Sequence, residues 1–201
     1  TKKTKDNILN LQEIQYITSI LVSKENETAS STVIFKKDDC PDYLNQDDDI
    51  YFLQTINKTI GLPSTYIPRQ LVNIKTHVKT SGNIRICMTE IAAKSLYKMS
   101  EAMNKEGLSL VAVSGYRSQS DQKNLYNKYA SIMNNGVYHR VAPPGHSEHQ
   151  LGTAVDVASE FKSGKSFALS AESMWLKNNA HLYGFLISYE EGHEHKTGYI
   201  Y

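Results

Sequence analysis

The chain has 201 residues, of which 40% are hydrophobic and 21% are charged, a composition typical of a folded globular protein rather than a disordered or fibrous one. Its 22 basic residues are offset by 21 acidic ones, so it lacks the cationic excess that holds a phosphate backbone, and we expect no nucleic-acid partner. No stretch approaches the roughly 20 consecutive apolar residues of a membrane span, so the sequence predicts no such span.

The N-terminal part of the chain differs in composition from the rest. It is rich in Asn, Thr, Lys and Asp, and its one apolar-periodic stretch, Ile8 to Leu21, is typical of a helix. We interpret residues 1–58 as an N-terminal extension of unknown role. The main domain is predicted over residues 59–201, entered through an extended segment in which Pro63 and Pro68 prevent regular helix.

The two cysteines, Cys40 and Cys87, are far apart and form no CxxC pair. A cysteine-ligated zinc site is therefore not expected, because such sites use closely spaced cysteines. A single disulfide is compatible with the sequence if the protein is exported, and the sequence leaves open whether the two residues pair.

The apolar pattern becomes regular from Thr89 onward. A first helix is predicted where apolar residues recur at helical spacing from Ala92 to Met103, with methionines that pack in the core and with Gly107 at its C-terminal cap. A buried strand follows at Leu108 to Ser114. The next helix is predicted to begin after the N-cap Ser118, with Asp121 three residues on.

The second half of the domain mixes strands and helices in the same way. Strands are predicted at Thr153 to Ala158, Phe185 to Tyr189 and Gly198 to Tyr201, and a helix is predicted from the N-cap Ser170 to before Gly184, burying Trp175, Leu176 and Leu182. Strands and helices do not alternate as regular βαβ units. The sequence therefore predicts an α+β fold, an antiparallel sheet with flanking helices.

Residues 145–156, GHSEHQLGTAVD, bring together histidines and carboxylates, the side chains best suited to metal binding or catalysis. His149 precedes the predicted strand and Asp156 lies on its inward face, and the glycine between them lets the chain turn so that both converge on one point. Imidazole and carboxylate together suit a catalytic zinc ion. Small and β-branched neighbours are expected to bury Asp156, and an unpaired buried carboxylate costs several kcal/mol, so it needs a cation. That cation is either a metal or a salt-bridge partner such as Arg117.

The same residues resemble a known family. Ser147, His149, Gly152, Ala154 and Asp156 match the SxHxxGxAxD signature of VanY-type zinc D-alanyl-D-alanine carboxypeptidases, in the group that includes lysostaphin-like peptidases and the hedgehog signalling domain. Two further segments are similar to those of the family and lie in the right order, namely SGYRS at residues 114–118 and PPGHSEH at residues 143–149. The resemblance covers roughly residues 60–201 and implies the hedgehog/D-Ala-D-Ala-peptidase-like fold.

The resemblance implies a role for each matching residue. His149 and Asp156 are expected to ligate Zn²⁺, and Arg117 to bind the scissile carbonyl oxygen or the substrate carboxylate, both of which suit a guanidinium fork. Gln122 and Ser147 are weaker candidates for substrate contact. The structural alternatives are that Arg117 braces its turn by bonding backbone carbonyls and that Ser147 caps the turn.

The family's third zinc ligand and general base lie in a Glu-Pro-Trp-His segment that would follow Tyr201, the last residue of this sequence. We therefore expect either that the sequence was cut short at this end or that half of the site has been lost. His193 and His195 are possible replacement ligands by position, but a solvent-facing place on a polar loop is favoured for both. Glu148 is rejected as a base because adjacent residues of an extended segment point in opposite directions.

The sequence thus predicts a zinc-dependent carboxypeptidase that removes the terminal D-alanine from peptidoglycan stem peptides by means of a metal-activated water, with D,D-specificity preferred over L,D-specificity. It would act outside the cytoplasm, in the cell envelope or secreted from a bacterium. The alternative is a catalytically incomplete peptidoglycan-binding module of the same fold. A serine hydrolase built on Ser147 is disfavoured because no GxSxG elbow surrounds that residue.

Overall fold

The computed structural model of the protein describes residues 33–42, 54–133, 141–161 and 164–188. The described residues from Phe35 onward belong to one compact unit, in which Phe35 and Cys40 are buried, so this unit includes residues ahead of residue 59. The helix predicted between Ile8 and Leu21 lies outside the described residues. None of the helices in the described ranges has the length and apolar character needed to traverse a bilayer.

The described strands form two antiparallel pairs. Strand β1 (Leu71–Asn73) pairs with β2 (Cys87–Thr89), and β3 (Val111–Ser114) pairs with β4 (Asp156–Ala158). The helices of the described ranges are α1 (Glu90–Lys105), α2 (Gln119–Met133), α3 (Gly164–Ala168) and α4 (Ala171–Asn179). Single 3-10 turns lie between β1 and β2 (Ser81–Asn83), between α2 and β4 (Glu148–Leu151) and after α4 (Ala180–Tyr183). The predicted α+β class, with antiparallel pairing and flanking helices, is confirmed.

Helix α1 forms the centre of the core. Its apolar face packs against β1, β2 and the 3-10 turn Ala180–Tyr183, and the buried residues include Leu96, Met99 and Met103, as the helical spacing predicted. The helix ends as predicted at Gly107, whose φ of 75° favours glycine. The amides of Gly107 and Leu108 bond the carbonyls of Asn104 and Met103, so the last turn is closed by a Schellman motif.

A disulfide between Cys40 and Cys87 settles the pairing that the sequence left open. It ties the segment before β1 to strand β2 and closes a separation of 47 residues. The same segment is held by two further bonds, from the Asn73 amide to the Lys36 carbonyl and from Arg85 Nη1 to the Asp39 carbonyl. Strand β2 is therefore anchored by a segment distant in sequence, and it is the strand against which the candidate site is built.

Two of the predicted strands differ from the observed structure. The strand predicted from Thr153 is limited to Asp156–Ala158, because residues 148–151 form a 3-10 turn and Gly152 takes a left-handed φ of 72° before the chain extends. The strand predicted from Phe185 is wrong for residues 185–188, which are irregular, and its remainder lies outside the described residues. The strand predicted at Gly198 to Tyr201 also lies outside them.

The helix predicted after Ser170 is divided in two. Ser170 caps α4 by accepting a bond from the Ser173 amide at 3.1 Å, as predicted, but the chain tightens to a 3-10 turn after Asn179. A 3-10 turn has fewer residues per turn than an α-helix and so rotates later side chains off the helix face. Trp175 and Leu176 are buried as expected, whereas Leu182 is 68% exposed and the prediction that it is buried is wrong.

Candidate functional site

The pairing of β3 with β4 brings two segments singled out from the sequence to one end of a sheet. Asp156, the first residue of β4, pairs with Ser114, the last residue of β3. The register shifts between Ala112 and Ser114, which leaves Val113 as an extra residue in β3. Such bulges bend a strand and redirect the side chains that follow it. Residues 115–117, which leave β3 here, consequently lie beside Asp156.

His149 is fixed by the backbone of that same segment. Its carbonyl accepts a bond from the Arg117 amide at 3.1 Å, and its ring Nδ1 lies 2.7 Å from the Gly115 carbonyl oxygen. Gly115 in turn packs closely on β2, since a Cβ there would lie 2.6 Å from the Cys87 carbonyl oxygen. A glycine is needed at this point for the carbonyl to reach the imidazole while the chain stays on β2.

The contact with Gly115 determines how His149 presents its other nitrogen. A carbonyl oxygen only accepts, so Nδ1 carries the proton, and a neutral ring then offers Nε2 as an unprotonated acceptor. Nε2 lies 3.4 Å from Asp156 Oδ2, which is also an acceptor when ionised. Two acceptors facing each other at this distance require a cation or a proton between them.

The two facing groups are the kind that zinc binds. Zn²⁺ takes histidine nitrogen and carboxylate oxygen, and its histidine ligands commonly donate their other N–H to a carbonyl, as His149 does here to Gly115. Among the residues described, no three His, Cys, Asp or Glu side chains converge as a metal-binding group. The donor chemistry of His149 and Asp156 therefore fits zinc as two ligands, and the candidates His193 and His195 lie outside the described residues.

Asp156 is more open than the sequence suggested. We expected its strand neighbours to bury it, and this is wrong, because 55% of its side chain is exposed. Burial of its remaining part favours a raised pKa, but a hydrogen bond from a protonated His149 Nε2 and the charges of His149 and Arg117 outweigh that effect and lower the pKa of Asp156 below its ordinary value. A metal cation in place of that proton would act in the same direction. A cation or a proton between the two groups is thus required by the facing imidazole and not by deep burial.

Arg117 lies against the same carboxylate and is held by side chains. Its Nη2 is 3.8 Å from Asp156 Oδ2 and donates to Ser114 Oγ at 2.9 Å, while Nη1 donates to Gln122 Oε1 at 2.7 Å. Burial lowers the pKa of Arg117, and the nearby carboxylates of Asp156 and Asp121 oppose that shift. The salt bridge that the sequence allowed for Asp156 is therefore present as a long ion pair, and it coexists with the imidazole contact.

The alternative role for Arg117 was to brace its turn by bonding backbone carbonyls, but the observed partners are side chains. Its guanidinium bonds the side chains of Ser114 and Gln122, and no bond from it to a backbone carbonyl occurs in the described structure. The predicted N-cap of α2 is confirmed directly after it. Ser118 Oγ accepts from the Asp121 amide at 3.1 Å and Asp121 Oδ2 accepts from the Ser118 amide at 3.3 Å, forming a reciprocal cap.

The two weaker candidates lie on either side of this centre. Gln122 is only 2% exposed, and both ends of its amide are engaged, because Nε2 also donates to the Ala142 carbonyl at 2.6 Å. Ser147 is 6% exposed and precedes the 3-10 turn that holds His149. Its side chain makes no capping hydrogen bond, so the alternative that Ser147 caps the turn is wrong.

The exclusion of Glu148 as a base assumes that residues 148 and 149 lie in an extended segment, in which adjacent side chains point in opposite directions. Residues 148–151 instead form a 3-10 turn, in which neighbouring side chains are about 120° apart, so that premise does not hold. The exclusion of Glu148 stays a prediction.

Two contributors to the site were missed from the sequence. Ser114 Oγ bonds the guanidinium of Arg117, and the Gly115 carbonyl fixes the His149 tautomer. Both belong to the SGYRS segment, whose likeness to the family implies a role for Arg117 but none for Ser114 or Gly115. A backbone carbonyl carries no side-chain signal, so only the tertiary structure identifies it.

The profile of one protein family matches residues 85–201 and is described as VanY, D-alanyl-D-alanine carboxypeptidase. The chain belongs to the VanY family. Its match spans all the site residues discussed above, from Ser114 to Asp156. The fold likeness to solved structures of VanY and LdcB confirms the peptidase fold that the motifs implied.

Individual relatives agree with this membership. The chain is 37% identical over 155 residues to YodJ of Bacillus subtilis (strain 168), a protein named as a carboxypeptidase, with 74% of this chain and 56% of that one covered. It is 37% identical to the LdcB LD-carboxypeptidase, with a TM-score of 0.69 and 75% and 72% of the two chains covered. A D,D-pentapeptidase VanY from a VanB-type resistance cassette, solved as a point mutant in complex with Zn(II), shares the fold at 23% identity and a TM-score of 0.58, with 75% and 83% covered. The chain spans about half the length of the first curated relatives it matches.

Proposed function

We propose that the protein is a zinc-dependent carboxypeptidase that removes the terminal D-alanine from peptidoglycan stem peptides. The observation that carries this proposal is the His149 Nε2 to Asp156 Oδ2 contact of 3.4 Å, with the Arg117 guanidinium 3.8 Å from the same carboxylate oxygen. Two acceptors suited to zinc thus lie beside a fixed cation. Family membership and the Zn(II) complex of a VanY protein of the same fold support the choice of metal.

Each side chain would have a separate task. His149 and Asp156 would hold zinc, which when bound supplies Lewis-acid activation of water and of the scissile carbonyl. His149 keeps its tautomer through Gly115, so its Nε2 is available without a proton transfer. Burial favours a raised pKa for Asp156, but the charge of Arg117 lowers it, as zinc in place of the His149 proton would, so Asp156 offers an ionised oxygen.

Arg117 is the group suited to negative charge on the substrate. Its side chain is 19% exposed, and each terminal nitrogen donates one described hydrogen bond, which leaves other N–H groups of the fork available. Such a fork stabilises a developing oxyanion or binds a terminal carboxylate. Ser147, whose hydroxyl makes no capping bond, is proposed as a second substrate contact.

The bond that is cut differs in stereochemistry between two candidate substrates, a pentapeptide and a tetrapeptide. The sequence favours D,D-cleavage of a pentapeptide, as does a relative from Enterococcus faecium named D-alanyl-D-alanine carboxypeptidase, which is 27% identical. L,D-cleavage of a tetrapeptide is the second candidate, favoured by the higher identity of 37% to the LdcB LD-carboxypeptidase.

The protein is proposed to act outside the cytoplasm, in the bacterial cell envelope or after secretion. The Cys40–Cys87 disulfide supports this, because such bonds persist in oxidising compartments and are rare in the cytosol. A peptidoglycan substrate would be met in the same place.

The test uses the full-length protein with a D-Ala-terminated pentapeptide and a D-Ala-terminated tetrapeptide. Release of D-alanine that is lost with a chelator and restored by Zn²⁺ is expected, and the preferred peptide identifies the specificity. Release from neither peptide, with peptidoglycan still bound, would instead support the non-catalytic binding module. Arg117→Ala should lower kcat/KM by about 10²-fold, as loss of an oxyanion partner does, while zinc is retained.

The ligands are tested by metal analysis of folded variants. His149→Ala and Asp156→Ala should each lose bound zinc, whereas His181→Ala, which removes an exposed histidine of the 3-10 turn Ala180–Tyr183, should keep it. Stoichiometric zinc in the His149→Ala protein would contradict the assignment.

A further inference from the structure

Gln122 is a buried amide whose oxygen and nitrogen each bond a neighbouring group of the protein. It lies in the first turn of α2 and is 2% exposed. Arg117 Nη1 can only donate and the Ala142 carbonyl can only accept, so the amide orientation is fixed, with Oε1 towards Arg117 at 2.7 Å and Nε2 towards Ala142 at 2.6 Å. One lone pair and one N–H remain on the amide, but the side chain is 2% exposed, so a substrate could reach them only if the side chain moved.

The partners of Gln122 are both parts of the site. Arg117 has several rotatable bonds, and its guanidinium keeps one plane only if more than one of its nitrogens is held. Gln122 holds Nη1 and Ser114 holds Nη2. Residues 142–146, which include Pro143 and Pro144 and lead to His149, form what we call the proline loop. It begins at Ala142 and is also bonded at Gly145, whose carbonyl accepts from the Leu62 amide at 2.8 Å.

We propose that Gln122 is a positioning residue that fixes the guanidinium plane of Arg117 and does not touch the substrate. This inference rests on the proposed function, in which Arg117 meets negative charge on the substrate, and it replaces substrate contact as the role of Gln122. Because the same amide holds Ala142, the placement of the guanidinium is coupled to that of the proline loop. The alternative is that Gln122 only stabilises the loop.

The kinetic test is a double-mutant cycle in the full-length, zinc-loaded protein. Gln122→Met keeps the length of the side chain but bonds neither partner, and it should lower kcat/KM by about 10- to 100-fold, in the same parameter that Arg117→Ala changes. In the Arg117→Ala background, Gln122→Met should have no further effect. Independent losses that multiply would overturn the proposal, because they would assign Gln122 a task that does not pass through Arg117.

Two further variants separate positioning from stability. Gln122→Glu keeps an oxygen for Arg117 and loses the donor to Ala142, so it should recover part of the activity that Gln122→Met loses. A Gln122→Glu protein as impaired as Gln122→Met would favour the loop-stabilising alternative and overturn the proposal. The matched control is Lys123→Met, the exposed neighbour on α2, which should leave kcat/KM and zinc content unchanged.

A measurement that needs no turnover tests the placement of the Arg117 guanidinium separately from the proposed activity. In protein labelled with ¹³C,¹⁵N-arginine, restricted rotation about the Nε–Cζ bond of Arg117 should give separate Nη signals, and Gln122→Met should merge them. Arg85, which bonds the Asp39 carbonyl far from Gln122 in sequence, is the internal reference and should not change. Unchanged Arg117 signals in Gln122→Met would refute positioning even if the enzyme is active. Merged signals in a protein that cleaves neither peptide would support positioning while the proposed function fails.

Discussion

Replacing Gly115 by alanine tests whether the site depends on close packing against β2. The added Cβ would lie 2.6 Å from both the Cys87 carbonyl oxygen and Ile86 Cγ2, whereas ordinary contact begins at 3.4 Å. The backbone at Gly115 or at Cys87 must therefore move by about 0.8 Å, which is the difference between 3.4 and 2.6 Å. Overpacking of this kind costs about 1–3 kcal/mol, or a fall of roughly 3–10 °C in Tm for a domain of this size.

The same displacement should reach the chemistry, since the Gly115 carbonyl holds His149 Nδ1 at 2.7 Å. A misplacement near 1 Å in an active site lowers the rate by about 10²-fold, so Gly115→Ala should weaken zinc binding and lower kcat/KM on this scale. Both are measured on the folded protein, by metal titration and by D-alanine release, beside a thermal melt.

Gly107→Ala is the matched control for this change. Gly107 has a φ of 75° and no atom within 4 Å of a built Cβ, so alanine there meets backbone strain alone, at about 1 kcal/mol. It should lower Tm slightly and leave zinc affinity and turnover unchanged. A Gly115→Ala protein with wild-type zinc affinity and turnover would refute the proposed dependence on β2.

Two stability predictions concern the groups packed behind the site. Replacing both Cys40 and Cys87 by serine removes a link across 47 residues and should lower the free energy of unfolding by about 4 kcal/mol in denaturant titration. Reductant should destabilise the wild type similarly and leave the double variant unaffected; equal stability of both proteins in oxidising buffer would contradict this. For Tyr116, burial raises the pKa to about 12, with smaller contributions from Asp121 and Tyr66. Between pH 10 and 12 the unfolded chain releases this proton while the folded protein keeps it, so stability is fully present below pH 10 and is lost as the pH rises, by roughly 2 kcal/mol. The free energy of unfolding of Tyr116→Phe should therefore fall less than that of the wild type between pH 10 and 12. An equal fall in both proteins would argue against this role of Tyr116.

The motif residues and the buried face of α1 could be predicted from short stretches of sequence. Helical spacing from Ala92 to Met103, the Gly107 cap and the reciprocal cap at Ser118 depend on neighbours within one or two turns, so the sequence contained the information for them. The α+β class followed from the order of the predicted strands and helices, and the family from the resemblance of the motif that contains His149 and Asp156, together with the SGYRS segment.

Contacts between distant segments were decided only by the tertiary structure. The Cys40–Cys87 bond, the carbonyl of Gly115 on His149 and the amide of Gln122 between Arg117 and Ala142 each join residues whose proximity depends on how the strands pair. The openness of Asp156 was misjudged for the same reason, since burial at the end of a short strand depends on which segments pack around it. Side-chain types along a chain determine which groups are available for chemistry, and the packing of β2, β3 and β4 determines which of them meet.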